Sequence, residues 1–565
     1  MVETLRHTLG RRVQDAHLRS PPASGGGRRV GLVAIVALMG VGLVFAPLLP
    51  GLFWALAPGL SLDVWRDLLA NPEWPRALLA TLISSILSTL VALLLAGVMA
   101  MQLYPGSGWM RLQRRLTLQL AVPHAAFAVG LFFLLSPSGW LARLIAQFLG
   151  WITPPGWDVW QTVQDPLGLS LALGLALKES WFLLWALGAV LGEHAIKRQM
   201  TIARSLGYSR FQAWRHILWP QLLSRLAWPL AAVFAYGLSV VDMALILGPS
   251  NPPTLAVLIW RWLTDASPEK QALGAAAALA LALILLLVVA GVRRLWKRVG
   301  RLCWHPTGRR APVSGRATRL GLQQPVFLVG YMVVAALLVW SVAGAWFFPA
   351  LLPDGLSLDA WQRADFAPFF TSFWLGTAVC LITLPITLFW LEWGPSRFNA
   401  VLYLPLIIPA LPLVMGQHAA LLRFGLDGTA WGLIWGHLLW VLPYMVLTLV
   451  GPYRAFDARL MTTAQAFGRS RLQACLSVKW PMLFKPLLAA LAVGFAVSIA
   501  QYLPTLFAGA GRFATVTTEA VALSAGGNRR VLAVQALLQV VLPLAAFGLA
   551  AWLPHWVGKR RRGLR

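Results

Sequence analysis

The stretch Leu283-Ile284-Leu285-Leu286-Leu287-Val288-Val289-Ala290-Gly291-Val292-Arg293-Arg294-Leu295-Trp296-Lys297-Arg298 passes from an unbroken apolar run straight into a cluster of cations. A hydrocarbon core about 30 Å thick is crossed by roughly 20 apolar residues in helical form, because lipid offers stray backbone polar groups no partner. The run 272–292 meets that requirement. Working outward, about twelve segments meet it: 31–50, 77–103, 116–136, 169–192, 226–248 and 272–292, then 326–349, 369–391, 399–422, 429–451, 485–508 and 530–554. The fold class expected is an all-α polytopic membrane protein.

Composition agrees. Of 565 residues, 58% are apolar and 12% charged, with a mean hydropathy of +0.70, far from soluble globular chains. A net charge of +28 raises nucleic acid as a partner. That reading needs a solvated basic face or a binding motif, whereas here the cations sit between apolar runs, so none is expected. Cys303, Cys380 and Cys475 stand singly, without disulfide or metal-ligand spacing.

The basic residues concentrate in alternate connections: 111–115, 194–225, 293–319, 454–485 and 559–565. Segments 51–75, 138–168, 351–368 and 510–528 are poorer in them and carry acids. Roughly three quarters of the 47 Lys and Arg fall on one side, which the positive-inside rule makes cytoplasmic, with anionic lipid as a contact. Both termini are then cytoplasmic. Arg6, Arg11, Arg12, Arg19, Arg28 and Arg29 precede a run long enough to span, with no small-residue cleavage site after it, so a retained first helix is expected rather than a signal peptide.

The chain also repeats itself. Gly59-Leu60-Ser61-Leu62-Asp63-Val64-Trp65 returns as Gly355-Leu356-Ser357-Leu358-Asp359-Ala360-Trp361, with Thr81 and Thr377 at one offset beyond each Trp. Pro123 and Gly130 are matched by Pro409 and Gly416. Two six-helix units follow, and an even helix number makes the repeat parallel. The expected domains are a basic segment 1–29, a first unit 30–292, a basic linker 293–325, a second unit 326–556 and a basic tail 557–565. Within 138–168, Trp140, Leu141, Leu144, Ile145, Phe148 and Leu149 suit either an interfacial amphipathic turn or a plain loop.

After the fourth helix of each unit comes the most informative match. Thr201-Ile202-Ala203-Arg204-Ser205-Leu206-Gly207 runs on to Ile217-Leu218-Trp219-Pro220, and Thr462-Thr463-Ala464-Gln465-Ala466-Phe467-Gly468 to Val478-Lys479-Trp480-Pro481. Ala, Gly and Pro keep one spacing. This reads as a helix, a Gly-permitted reversal and a second helix ending at the Pro that leads back into the membrane. The pattern resembles the cytoplasmic loop of the permease subunits of binding-protein-dependent ABC importers: Glu-Ala-Ala, three residues, Gly, nine residues, Ile, any residue, Leu-Pro. Thr201 and Thr462 replace its Glu, and Trp219 and Trp480 its Leu.

That resemblance implies the type I ABC importer permease fold and two loops, each seated in a groove of a cytoplasmic ABC ATPase homodimer. The ATP is held by those partners. Consistently, no GxxxxGK[ST] phosphate loop occurs in the sequence. It further implies a periplasmic solute-binding protein and a place in a bacterial inner membrane. Fusion of both units in one chain resembles the ferric-iron, thiamine and spermidine-putrescine-like group. The segments Gln501-Tyr502-Leu503-Pro504-Thr505 and Gly509-Ala510-Gly511-Arg512 look most like a branch near the thiamine permeases, so a thiamine-like solute or another small cation or metal is the cargo that this implies.

Ionisable groups inside lipid are functional suspects by default. Lys178 and Glu179 fall mid-way along the fourth span and His437 in its counterpart; Asp242 and Gln501 fall in similar runs of the fifth and eleventh. Glu179, Asp242, His437 and Gln501 either face a translocation path or pair between helices, for example Lys178 with Asp242. His124 and His418 are expected to be satisfied within the bundle. A secondary transporter is the competing reading; it would keep coupling ions on intramembrane carboxylates and has no need of paired loops. A membrane enzyme would need a cluster of acids or histidines at the interface, and none is seen.

Overall fold

The structure, a computed structural model, describes residues 27–149, 162–303, 321, 323–395 and 398–560. Most of the expected segment 1–29, much of the linker and the end of the tail lie outside the described residues. Among those described, every element is helical apart from two isolated bridges. Among the described residues, nine helices are long and apolar enough to cross a membrane, or up to 11 if each of two bent pairs is one span.

We number the principal helices in chain order. The amino-terminal half contains α1 (Gly27–Phe45), α2 (Leu48–Leu56), α3 (Glu73–Leu103), α4 (Ser107–Ala121), α5 (His124–Leu135), α6 (Leu169–Leu191), α7 (His194–Ser205), α8 (Ala227–Ser239), α9 (Asp242–Leu247), α10 (Leu255–Leu263) and α11 (Pro268–Cys303). The carboxy-terminal half contains α12 (Gln323–Val342), α13 (Ala367–Trp393), α14 (Ala410–Phe424), α15 (Ala430–Arg454), α16 (Ala458–Ala466), α17 (Phe484–Ile499), α18 (Leu503–Gly509), α19 (Val516–Ser524) and α20 (Arg529–Arg560).

Several expected spans are interrupted, and proline explains most of the breaks. Pro lacks an N–H and pushes the residue before it out of the helical region. The expected span 116–136 is therefore two helices, α4 and α5, parted at Val122-Pro123, with both residues extended. Likewise 399–422 is divided by Pro405 and Pro409 into Asn399–Leu402, a 3-10 turn Leu404–Leu406 and the 15-residue α14. Pro47 parts α1 from α2. The last helix of the first half, in contrast, runs on to Cys303, past the expected linker start at 293. Trp140–Leu149 forms a helix, the amphipathic alternative for that segment.

The two halves exchange their first helices. Helix α2 packs along α14 and α1 along α13, while α12 packs against α5 as well as α20. The repeated glycines sit at these crossings: a Cβ on Gly51 would lie 2.0 Å from the Gly416 carbonyl oxygen, one on Gly416 2.8 Å from Leu52, and one on Gly130 2.6 Å from the Val333 oxygen. Small residues let apolar helices approach closely where no hydrophobic drive separates lipid from protein.

One sequence equivalence shifts. The Thr81 hydroxyl accepts the first N–H of α10, Leu255 N, at 2.7 Å. In the second half that role belongs to Ser372, which accepts Val516 N of α19 at 2.9 Å, while Thr377 is half-buried and bonds its own turn. The register after the repeated Gly-Leu-Ser-Leu-Asp stretch thus differs by five residues between halves.

Gly130→Leu and Gly416→Leu are each expected to cost at least about 2 kcal/mol through overpacking and to lower the thermal midpoint of the purified protein. Gly291→Leu, where an added Cβ meets nothing within 4 Å, leaves it unchanged. Equal effects at all three sites contradict the crossing assignment.

Candidate functional site: paired hairpins and a polar cluster between the halves

Both loops fold into the same hairpin. Helix α7 ends with Gly207 at φ +85°, and α16 with Gly468 at φ +80°, in the left-handed region that glycine enters without strain. Tyr208 N–H donates to Ala203 O (3.1 Å) and Gly207 N–H to Arg204 O (3.0 Å). Arg469 N–H likewise donates to Ala464 O (3.3 Å) and Gly468 N–H to Gln465 O (2.9 Å). This is a Schellman closure, and it gives the Ala-to-Gly spacing a reason: Ala is the third residue from the helix end, buried beneath the turn, and Gly the first beyond the cap residue, Leu206 or Phe467.

The return arm restarts on a capping box in each copy. The Ser209 and Ser470 hydroxyls accept the N–H of Gln212 and Gln473, whose side-chain oxygens accept the serine N–H. A one-turn π-helix follows, Trp214–Leu218 and Cys475–Lys479, containing Ile217 and Val478. Trp219 and Trp480 follow it, and then Pro220 and Pro481. A proline ring collides with the carbonyl four residues back in an α-helix, and widening the turn makes room for it. The arm then bends into α8 by 58° and into α17 by 80°.

What the hairpins leave exposed is apolar. Ile202 and Leu206 are each 51% exposed and Phe467 83%, at the tips and outer faces, beside the exposed Thr201, Thr462 and Thr463. Their bases are latched. The Arg210 guanidinium donates to Gln102 O (2.6 Å) and Tyr104 O (3.1 and 2.7 Å), at the end of α3. Arg471, at the same place after the glycine, donates to the Glu392 carboxylate (2.8 Å) and carbonyl (2.9 Å), at the end of α13. Glu392 also receives Lys479 Nζ (2.6 Å) and Tyr453 OH (2.9 Å), which accepts Trp480 Nε1 (3.1 Å).

The second constellation lies where α8–α9 and α17–α18 break. Helix α8 stops at Ser239 and α9 begins at Asp242; α17 stops at Ile499 and α18 begins at Leu503, with Gln501 in the gap. Buried Asp242 is the first residue of α9, its carboxyl beside the N–H groups that open the helix. Buried Glu179 meets His124 Nε2 at 3.1 Å, and the His124 ring lies 4.8 Å from the Tyr236 ring. Tyr236 is within electrostatic reach of Glu179, Asp242 and Tyr444, and Tyr502 within reach of Asp242. Carboxylates of one half and phenols of the other thus share a single cluster.

The remaining intramembrane candidates sit elsewhere. His437 is fully buried, with its ring nitrogens 2.9 Å from Ser498 Oγ and 2.9 Å from Thr505 Oγ1, so it joins the two pieces of the broken helix. Gln501 is half-buried and donates to Val497 O at 3.1 Å. Lys178 does not pair with Asp242: its ammonium donates to Gln119 O (2.9 Å) and lies 5.4 Å from the Trp181 ring centre. The residues not singled out from sequence are Arg210, Arg471, Glu392 and the tyrosines; His124, expected to be satisfied in the bundle or at its edge, is paired with Glu179. For the two arginines a signal was present, since Ser-Arg-Phe-Gln-Ala at 209–213 and Ser-Arg-Leu-Gln-Ala at 470–474 match in position and chemistry.

Glu392→Gln strips a buried carboxylate from Lys479 and Arg471 and is expected to cost about 3 kcal/mol, read as a lower thermal midpoint. Asp63→Asn, which breaks the exposed pair with Arg66, leaves the midpoint within error. Equal midpoints for both variants contradict the latch. No protein-family model matches the chain. Over 525 residues it is 42% identical to the inner membrane ABC transporter permease protein YnjC of Escherichia coli (strain K12), spanning 93% of this chain and 97% of that protein. With its apolar helices and near full-length identity to that relative, this chain is a multi-pass inner-membrane protein and belongs to the ABC transporter permeases.

Proposed function

We propose that the chain is the fused permease subunit of an ABC importer, its twelve spans forming two parallel six-helix repeats of the type I fold with both termini cytoplasmic. The observation that carries this reading is the pair of hairpins, built twice with the same Schellman glycine, capping box, π-turn and proline, each exposing an apolar tip. Two identical knobs suit the two equivalent grooves of an ATPase homodimer. ATP is bound and hydrolysed on those partners, and a periplasmic binding protein delivers the solute. Closure of the ATPase dimer moves the hairpins, and the bends of 58° and 80° pass that motion to the broken helices α8–α9 and α17–α18.

Beside the breaks in those helices stand Asp242, Tyr236 and Tyr502, with Glu179 of α6 and Tyr444 of α15 within electrostatic reach. Discontinuous helices in transporters mark solute sites. Two buried carboxylates beside aromatic faces favour a small cation, in line with the thiamine-like group. His437 supports the wall behind the break, and Gln501 offers an amide at its edge.

Co-expression with the ATPases of the same genome is expected to recover one ATPase dimer per chain. Gly207→Leu/Gly468→Leu abolishes that recovery, because neither position accepts a Cβ without strain. Indifference to both glycines, or uptake driven by an ion gradient without ATPase, favours a secondary transporter instead. In proteoliposomes holding the complex, Glu179→Gln/Asp242→Asn is expected to reduce ATP-driven accumulation of thiamine, used as the probe cation, by roughly tenfold or more. Unchanged accumulation contradicts a cationic path through this cluster.

A further inference from the structure

A cavity of about 320 Å³ opens on the hairpin-bearing face, away from the polar cluster, between α3 and α4 of the first half and the start of α12 of the second. Its polar lining is Arg111, Arg115, Gln323 and Gln324; its apolar lining includes Leu103, Leu112 and Phe327. Arg111 and Arg115 are one helical turn apart, so both guanidiniums lie on one face of α4. Among the described residues no hydrogen bond or ion pair engages either, and no carboxylate lines the cavity. The two glutamines stand in the first turn of the 20-residue α12, whose dipole adds to the positive field.

We propose that this cavity binds the phosphate headgroup of an anionic phospholipid, with the glycerol and upper acyl chains against Leu103, Leu112 and Phe327. Two features favour lipid over a dissolved phosphate. Helix α4 leaves Met110 62% and Leu118 52% exposed beside its arginines, the mark of a helix lying in the membrane interface. The apolar lining also gives chains a surface that inorganic phosphate cannot use. Basic pockets between transmembrane helices select such headgroups. The site touches the coupling machinery, since Leu103 lies between Gln102 and Tyr104, whose carbonyls hold Arg210. A bound lipid therefore joins the two halves next to the seat of the first hairpin.

Native mass spectrometry of the full chain in detergent, titrated with phosphatidylglycerol or phosphatidylethanolamine, tests this. One phosphatidylglycerol is expected to bind in preference, and Arg111→Gln/Arg115→Gln to weaken it roughly 30-fold. Arg293→Gln/Arg294→Gln, an equal charge loss on exposed α11 residues outside the cavity, changes it little. Gln324→Glu, which places a carboxylate in the lining, gives the same loss as the arginine pair and covers the case in which that pair misfolds. Equal binding of both lipids, equal effects of the two arginine pairs, or displacement by millimolar inorganic phosphate overturns the proposal.

Discussion

The constraint on which this structure rests is the satisfaction of backbone hydrogen bonds where water is absent. It forces the chain into helices and makes every break in a helix a place where side chains must intervene. The helix pairs α8–α9 and α17–α18 are each broken, and polar side chains sit at both breaks. Ser239 Oγ donates to Ala235 O in the last turn of α8, and Thr517 Oγ1 donates to Ile499 O at the end of α17. His437 then ties Ser498 to Thr505 across the gap. These polar groups are what allow the membrane to contain a bend.

The halves are alike in plan and unequal in detail. Each hairpin is tied by an arginine to the end of the second long helix of its half: Arg210 donates to the Gln102 and Tyr104 carbonyls, and Arg471 meets a buried carboxylate shared with Lys479. The polar cluster is unequal too: its carboxylates, Glu179 and Asp242, come from the first half, while Tyr444 and Tyr502 come from the second.

Much of this was legible in the sequence. Apolar length and basic flanks located nearly all the helices, and the duplicated Ala, Gly and Pro located both hairpins, because each letter there answers a local backbone demand. Pro123 and Pro409 were read as marks of repetition, yet their consequence, the division of the third span, was missed. The match of Thr81 to Thr377 misled, since an offset counted from Trp361 could not register the shorter connection that makes Ser372 the equivalent hydroxyl. Contacts between halves were the least visible. Nothing local to Gly130 or Gly416 says that a first helix from the other half crosses there, and nothing near Glu179 points to His124.

The central claim is that the paired hairpins are moved by an ATPase dimer. Spin labels placed at Leu206 and Phe467, both exposed at the tips, in a chain cleared of its native cysteines, measure that motion directly by pulsed electron resonance. With the ATPase bound, the account predicts a shorter tip-to-tip distance on trapping ATP and its reversal on release of nucleotide. A distance that ignores nucleotide in an assembled, hydrolysing complex would contradict it.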